Sequence, residues 1–141
     1  MPDITFDTAQ LGYMRAFEDL THAKVMDCLE AEDKLVYVVH PEDLKKAVGP
    51  HGEIVERLKQ LFHREIQVVV WDEDTAKFVQ NLFFPFSPQK VDFSPKPKGR
   101  HATVTVDPKF KARAIGKQGK NLKIARAVLL RHSDIVSVNV A

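Results

Sequence analysis

Two glycine pairs carry the chemistry that can be read from this chain: Gly49-Pro50-His51-Gly52 and Gly116-Lys117-Gln118-Gly119. A Gly-x-x-Gly turn lets another backbone come close, because neither glycine has a side chain to obstruct it. Where a helix starts straight after the turn, its first N–H groups lack intrahelical partners and the helix dipole adds partial positive charge. The turn is then a seat for an anion such as a phosphate. Lys117 inside the second turn and Lys120 beside it add to that field, whereas Glu53 and Glu56 after the first turn oppose it. Pro50 also removes one N–H donor from the first turn. Taken alone, such a turn is an ordinary helix–helix connection, so its surroundings must decide.

Other chemistries find little support. The histidines, His22, His40, His51, His63, His101 and His132, form no i, i+4 pair and no HExxH motif, so no metal site or other cofactor is expected. Cys28 is the single cysteine, which excludes an internal disulfide or a cysteine metal cluster and reads as a buried reduced thiol. The acidic residues fall mainly on polar helix faces and loops, and no serine sits in a nucleophile elbow. The expectation is a protein that is not an enzyme.

The 141 residues, 44% of them hydrophobic, suffice for one ordinary domain or two very small ones packed together. No stretch reaches the roughly 18 apolar residues of a membrane span, and Met1 to Phe6 lacks the regions of a signal peptide, so a cytoplasmic location is expected. The net charge of +2 hides a division along the chain. Residues 1–73 hold 8 Lys/Arg against 15 Asp/Glu, net −7, and residues 74–141 hold 13 against 4, net +9. A basic half of that size is the electrostatic footprint of a nucleic-acid contact.

The elements that must position the turns come in duplicate. Val38-Val39-His40-Pro41 is answered by Thr105-Val106-Asp107-Pro108, and the same offset carries Ala47 to Gly52 onto Ala114 to Gly119. In the first unit, Asp7 with Gln10 starts a helix whose apolar stripe is Leu11, Met14, Phe17 and Leu20. Lys24 to Glu30 and Lys34 to Val39 read as strands, and Pro41 opens a short helix to Val48. A helix with Ile54, Val55, Leu58, Leu61 and Phe62 on one face follows the turn, and Glu65 to Trp71 closes the unit as a strand. The second unit repeats this with a helix over Asp74 to Phe83 and strands near Lys90 to Phe93 and from His101 to Val106. A short helix from Pro108 to Ala114, a long one from Lys120 to Arg131 and a strand from Ile135 to Val140 complete it. Ser94 to Arg100 reads as a basic, turn-rich loop. Phe83, Phe84, Phe86 and Phe93 are either a base-stacking platform or core joining the units, and core is preferred because they precede the basic helices.

The order helix, strand, strand, helix, Gly-x-x-Gly, helix, strand resembles the type II KH domain. The lines Ala114 to Asn121 and Ala47 to Gly52 look like its signature turns. Two copies this close together resemble the paired KH module of the NusA family of transcription termination/antitermination factors, nearest to its short archaeal-type form. The resemblance implies an α+β fold of two tandem KH domains, 1–73 and 74–141, each a three-stranded sheet packed against helices. It also implies a loop that clamps about four nucleotides of single-stranded RNA, with the bases in an apolar groove beside it. Carried onto this chain, Gly116, Lys117, Gln118 and Gly119 hold the RNA backbone, Ile115 lines the groove, and Lys120, Asn121 and Lys123 lie on the helix below. Gly49 and Gly52 match in the first copy, where Pro50 and His51 depart from the pattern. The implied partners are single-stranded RNA and RNA polymerase or other transcription or translation proteins. Two alternatives stay open: an adaptor docking protein partners through the acidic first unit, and a ribosome-assembly or RNA-processing KH factor. The polymerase-binding and S1 domains of larger NusA proteins have no room in this length.

Overall fold

The computed structural model describes residues 6–31, 33–49 and 52–141, which divide into two compact units, one ending at Asp72 and the other running Glu73–Ala141. Pro50 and His51 lie outside the described residues.

In the first unit, α1 (Thr8–Thr21) opens on a capping box. Asp7 accepts from the Gln10 N–H at 2.7 Å, and the Gln10 side chain accepts from the Asp7 N–H at 3.1 Å, which occupies two otherwise unpaired donors. Strands β1 (Val25–Glu30), β2 (Lys34–Val39) and β3 (Glu65–Val70) form a sheet in the order β1-β2-β3, antiparallel then parallel. The parallel step requires a crossover, supplied by a 3-10 turn at Pro41–Asp43, α2 (Leu44–Val48) and α3 (Glu53–Phe62). β2 is central, and Leu35 to Val39 are fully buried. Phe17 stacks on Tyr37 at 4.4 Å between ring centres, and Ala47 and Leu58 bring α2 and α3 to the same core.

The helical stripes need one correction each. Leu11 is 52% exposed and Leu61 is 56% exposed, so neither belongs to the core face. Tyr13 takes the inner edge of α1 instead, meeting Phe62 edge-on at 5.0 Å, while Arg64 pairs with Glu30 beside it. A spacing of three or four residues marks an apolar stripe but not which of its edges is covered.

The second unit repeats the plan with α4 (Thr75–Leu82), β4 (Pro88–Lys96), β5 (Gly99–Val106), α5 (Lys111–Ile115), α6 (Lys120–His132) and β6 (Ile135–Val140). Its sheet runs β4-β5-β6, again antiparallel then parallel. β5 buries Ala102, Val104 and Val106 on alternate positions, and α6 buries Ile124, Ala125, Val128 and Leu129.

Ser94 to Arg100 is not a loop. β4 extends through Ser94, Pro95 and Lys96, pairing Pro95 with Arg100 and Lys96 with Gly99 in a tight hairpin. β4 is an edge strand, where a proline costs no ladder bond if its missing N–H faces outward. Gly99 lets the hairpin lie close against the corner between α6 and β6: a Cβ there would lie 2.1 Å from the Asp134 carbonyl oxygen.

Candidate nucleic-acid interface

The glycines of the two Gly-x-x-Gly turns share their backbone conformations. Gly49 and Gly116 have φ/ψ of 74°/174° and 79°/161°, and Gly52 and Gly119 have 70°/19° and 74°/16°. Each first glycine ends a short helix by donating its N–H four residues back, Gly49 to Lys45 and Gly116 to Ala112. The second glycine then closes the turn on the first, at 3.4 Å for Gly52 and 3.0 Å for Gly119.

The two glycines of a turn are needed for different reasons. A Cβ on Gly116 would sit 2.7 Å from the backbone nitrogen of Asn121, and one on Gly49 would sit 2.5 Å from Cγ1 of Ile54. Those positions are closed by the following helix. At Gly52 and Gly119 a Cβ would meet nothing within 4 Å, so that side of the turn opens outward and leaves room for an approaching phosphodiester.

Electrostatics separate the turns. α6 has no acidic residue in its first turn and no side-chain cap at Gly119, and it carries Lys120 and Lys123 there, with Lys117 and Gln118 exposed just before. α3 is likewise uncapped at Gly52 but begins with Glu53 and Glu56. The dipole field of α6 is therefore reinforced by cations, and that of α3 is cancelled by carboxylates.

Of the residues expected to form the site, Gly116, Lys117, Gln118, Gly119, Lys120 and Lys123 cluster at the head of α6, with Ile115 half-buried at the end of α5. Asn121 has an additional duty: its side-chain amide donates to the Ala114 carbonyl at 2.7 Å, pinning the end of α5 to the start of α6 across the turn. The equivalent first-unit residue is the apolar Ile54, packed on the core. Sequence reasoning missed this staple, whose only signal is an amide in place of an apolar residue in the repeat register.

The basic hairpin contributes less than its composition suggests. Arg100 holds Asp134 by two bonds, Nε to Oδ2 at 2.7 Å and a terminal nitrogen to Oδ1 at 2.9 Å, while lying 4.4 Å over the Phe93 ring. Hydrogen bonding to Arg100 keeps the Asp134 carboxyl below its ordinary pKa. Arg100 thus bolts the hairpin to the α6–β6 corner and is neutralised there. Lys109, Lys111 and Arg113, by contrast, stand exposed along the approach to the turn.

The four phenylalanines split. Phe83 is fully buried, Phe86 and Phe93 are half-buried, and Phe84 is 76% exposed, so Phe84 is not core. The cause is the 3-10 turn at Phe84–Phe86: with three residues per turn, Phe83 and Phe86 fall on one side and Phe84 on another.

Among the described residues, no cluster of His, Cys, Asp or Glu is arranged to hold a metal, and no helix is long and apolar enough to cross a membrane. Burial pushes the Cys28 thiol up to about 12, far from a reactive thiolate.

Comparison with known proteins agrees with this geometry. Residues 75–141 match the model of the NusA-like second KH domain. The chain is 35% identical over 120 residues to the probable transcription termination protein NusA of Halobacterium salinarum, covering 84% of this chain and 85% of the relative. It is 30% identical to the protein of that name in Halococcus morrhuae, covering 98% and 99%, and 28% identical to that in Thermoplasma acidophilum, covering 99% and 97%. The crystal structure of APE1850 aligns at a TM-score of 0.76 and 25% identity, covering 96% of this chain and 100% of that one. On the joint weight of the duplicated turn, the sheet order and these relatives, the chain belongs to the NusA family of KH-domain proteins.

Proposed function

We propose that this chain is a single-stranded RNA-binding factor of transcription termination and antitermination, with two KH domains at 1–73 and 74–141 and its main RNA seat at Gly116–Gly119. The observation that carries the reading is the outward-open Gly119 at the head of α6, a 13-residue helix with Lys120 and Lys123 and no acid in its first turn. A phosphodiester seated there meets amide dipoles and lysines without side-chain obstruction. Ile115, half-buried beside the turn, supplies apolar surface for the adjoining base. Lys117, Gln118 and Lys123 serve the RNA backbone, and Asn121 holds the turn in shape. Gly49 and Gly52 keep the same backbone form in the first domain, where Glu53 and Glu56 weaken any phosphate contact.

The test is anisotropy titration of a short labelled single-stranded RNA with the whole chain and two variants. Lys117→Asp/Lys120→Asp is expected to lose most of the affinity, and Glu53→Lys/Glu56→Lys to keep or gain it. Equal affinity in all three chains would refute the assignment of the seat.

A second reading applies to the first domain. Its two glutamates at the head of α3, within a half of net charge −7, suit a basic protein surface such as one on RNA polymerase or a ribosomal protein. Purified polymerase should bind the wild type and lose binding to Glu53→Lys/Glu56→Lys; unchanged binding would remove this reading.

A further inference from the structure

We propose that Phe84 is a base-stacking platform forming a second RNA subsite in the second domain, continuous with the Gly-x-x-Gly seat along α5. The inference rests on the RNA-binding reading above and extends it.

Phe84 is 76% exposed, more than any other large hydrophobic residue among those described. Its position is built. Pro85 sits at the start of the 3-10 turn, Phe86 donates its N–H to the Phe83 carbonyl at 2.9 Å, and Ser87 donates to Phe84 at 3.3 Å. From the other side, the Asp107 N–H donates to the Ser87 carbonyl at 3.2 Å. With Phe83 anchored in the core, Phe84 is presented outward on a fixed backbone.

The surroundings select the occupant. The Phe84–Phe86 turn packs against α5, whose chain leads straight into Gly116. Lys111 and Arg113 are exposed on α5, and Lys109 is exposed just before it. An RNA strand leaving the phosphate seat can follow these cations toward Phe84, with phosphates on the basic side chains and a base on the ring. Beside the ring lies an open concavity of about 620 Å³ lined by Gln80, Asn81, Phe84, Pro85, Ser87 and Pro88. The exposed Gln80 amide there can hydrogen-bond the edge of a stacked base.

The test compares a tetranucleotide, long enough for the Gly-x-x-Gly seat alone, with a decanucleotide of the same repeating sequence. Both are titrated by NMR into wild type, Phe84→Ala, Phe84→Trp and Lys117→Asp/Lys120→Asp. Phe84→Ala is expected to bind the tetranucleotide as wild type does and the decanucleotide roughly 5- to 150-fold more weakly, the range for one lost stacked base. Phe84→Trp is expected to keep decanucleotide binding, with the fluorescence it adds to that of Trp71 quenched by that RNA only. The platform is overturned if Phe84→Ala keeps full decanucleotide affinity, or loses tetranucleotide affinity to the same degree. If Lys117→Asp/Lys120→Asp still loses binding in that case, the main seat stands without the platform. Failure of wild type to bind either RNA overturns both.

Discussion

Replacing Lys117 and Gln118 together by aspartate tests the phosphate seat with little risk to the fold. Gln118 has φ 58° and ψ 26°, a left-handed conformation that aspartate tolerates better than most residues, and both side chains are exposed. The exchange moves the turn by three negative charges. At about 6 Å in water each contributes about 0.7 kcal/mol against one phosphate. Screening over the Debye length of about 8 Å at 0.15 M salt roughly halves this. Three charges facing one or two phosphates then weaken binding by about 1–2 kcal/mol, roughly 5- to 30-fold. Anisotropy titration with a single-stranded octanucleotide at 0.15 M salt measures it, and circular dichroism with a melting curve checks the fold. The salt slope should also become shallower by about 0.7, because one cationic contact is gone. Unchanged affinity in a folded variant would refute the electrostatic seat at this turn.

Other consequences separate shape from charge. Gly116→Ala forces a Cβ to within 2.7 Å of the Asn121 nitrogen at φ 79°, so it should lower stability by roughly 1–3 kcal/mol in denaturant melts. Gly119→Ala meets open space and should cost only about 1 kcal/mol of left-handed strain, yet still impair RNA binding. Asn121→Ala removes the bond to Ala114 and should cost about 0.5–1.5 kcal/mol in the same melts, with weaker RNA binding from a loosened turn. Because burial disfavours the thiolate, a Cys28 pKa of about 12 makes labelling by a thiol reagent negligible in the native protein at pH 8 and fast after unfolding. Rapid native labelling would contradict the burial of that strand.

How far the chain could be read from its residues depended on where the physics is local. The glycine register survived because φ near +75° at Gly49, Gly52, Gly116 and Gly119 is a backbone demand that glycine alone meets cheaply. Strands Lys34–Val39 and Ile135–Val140 have the bounds expected of them, since runs of β-branched residues settle little else. Pro95 and Pro97 hid the hairpin, because a proline argues against a strand until it is known that the strand is an edge. Leu11 and Leu61 were misassigned because a stripe's periodicity does not say how wide the covered face is. The Asn121 staple spans seven residues and exists only once the turn is folded, so no window of sequence contains its geometry. Phe84 was hidden among neighbours of the same type, separated from them by the three-residue pitch of a 3-10 turn.

The central claim, that the basic second domain holds single-stranded RNA through its phosphates, is tested most directly by the salt dependence of wild-type affinity for an unstructured octanucleotide between 50 and 300 mM salt. If about five phosphates are neutralised, the slope of log affinity against log salt should be near −3.5, at roughly −0.7 per contact. A slope near zero, or no measurable binding at the lowest salt, would contradict it.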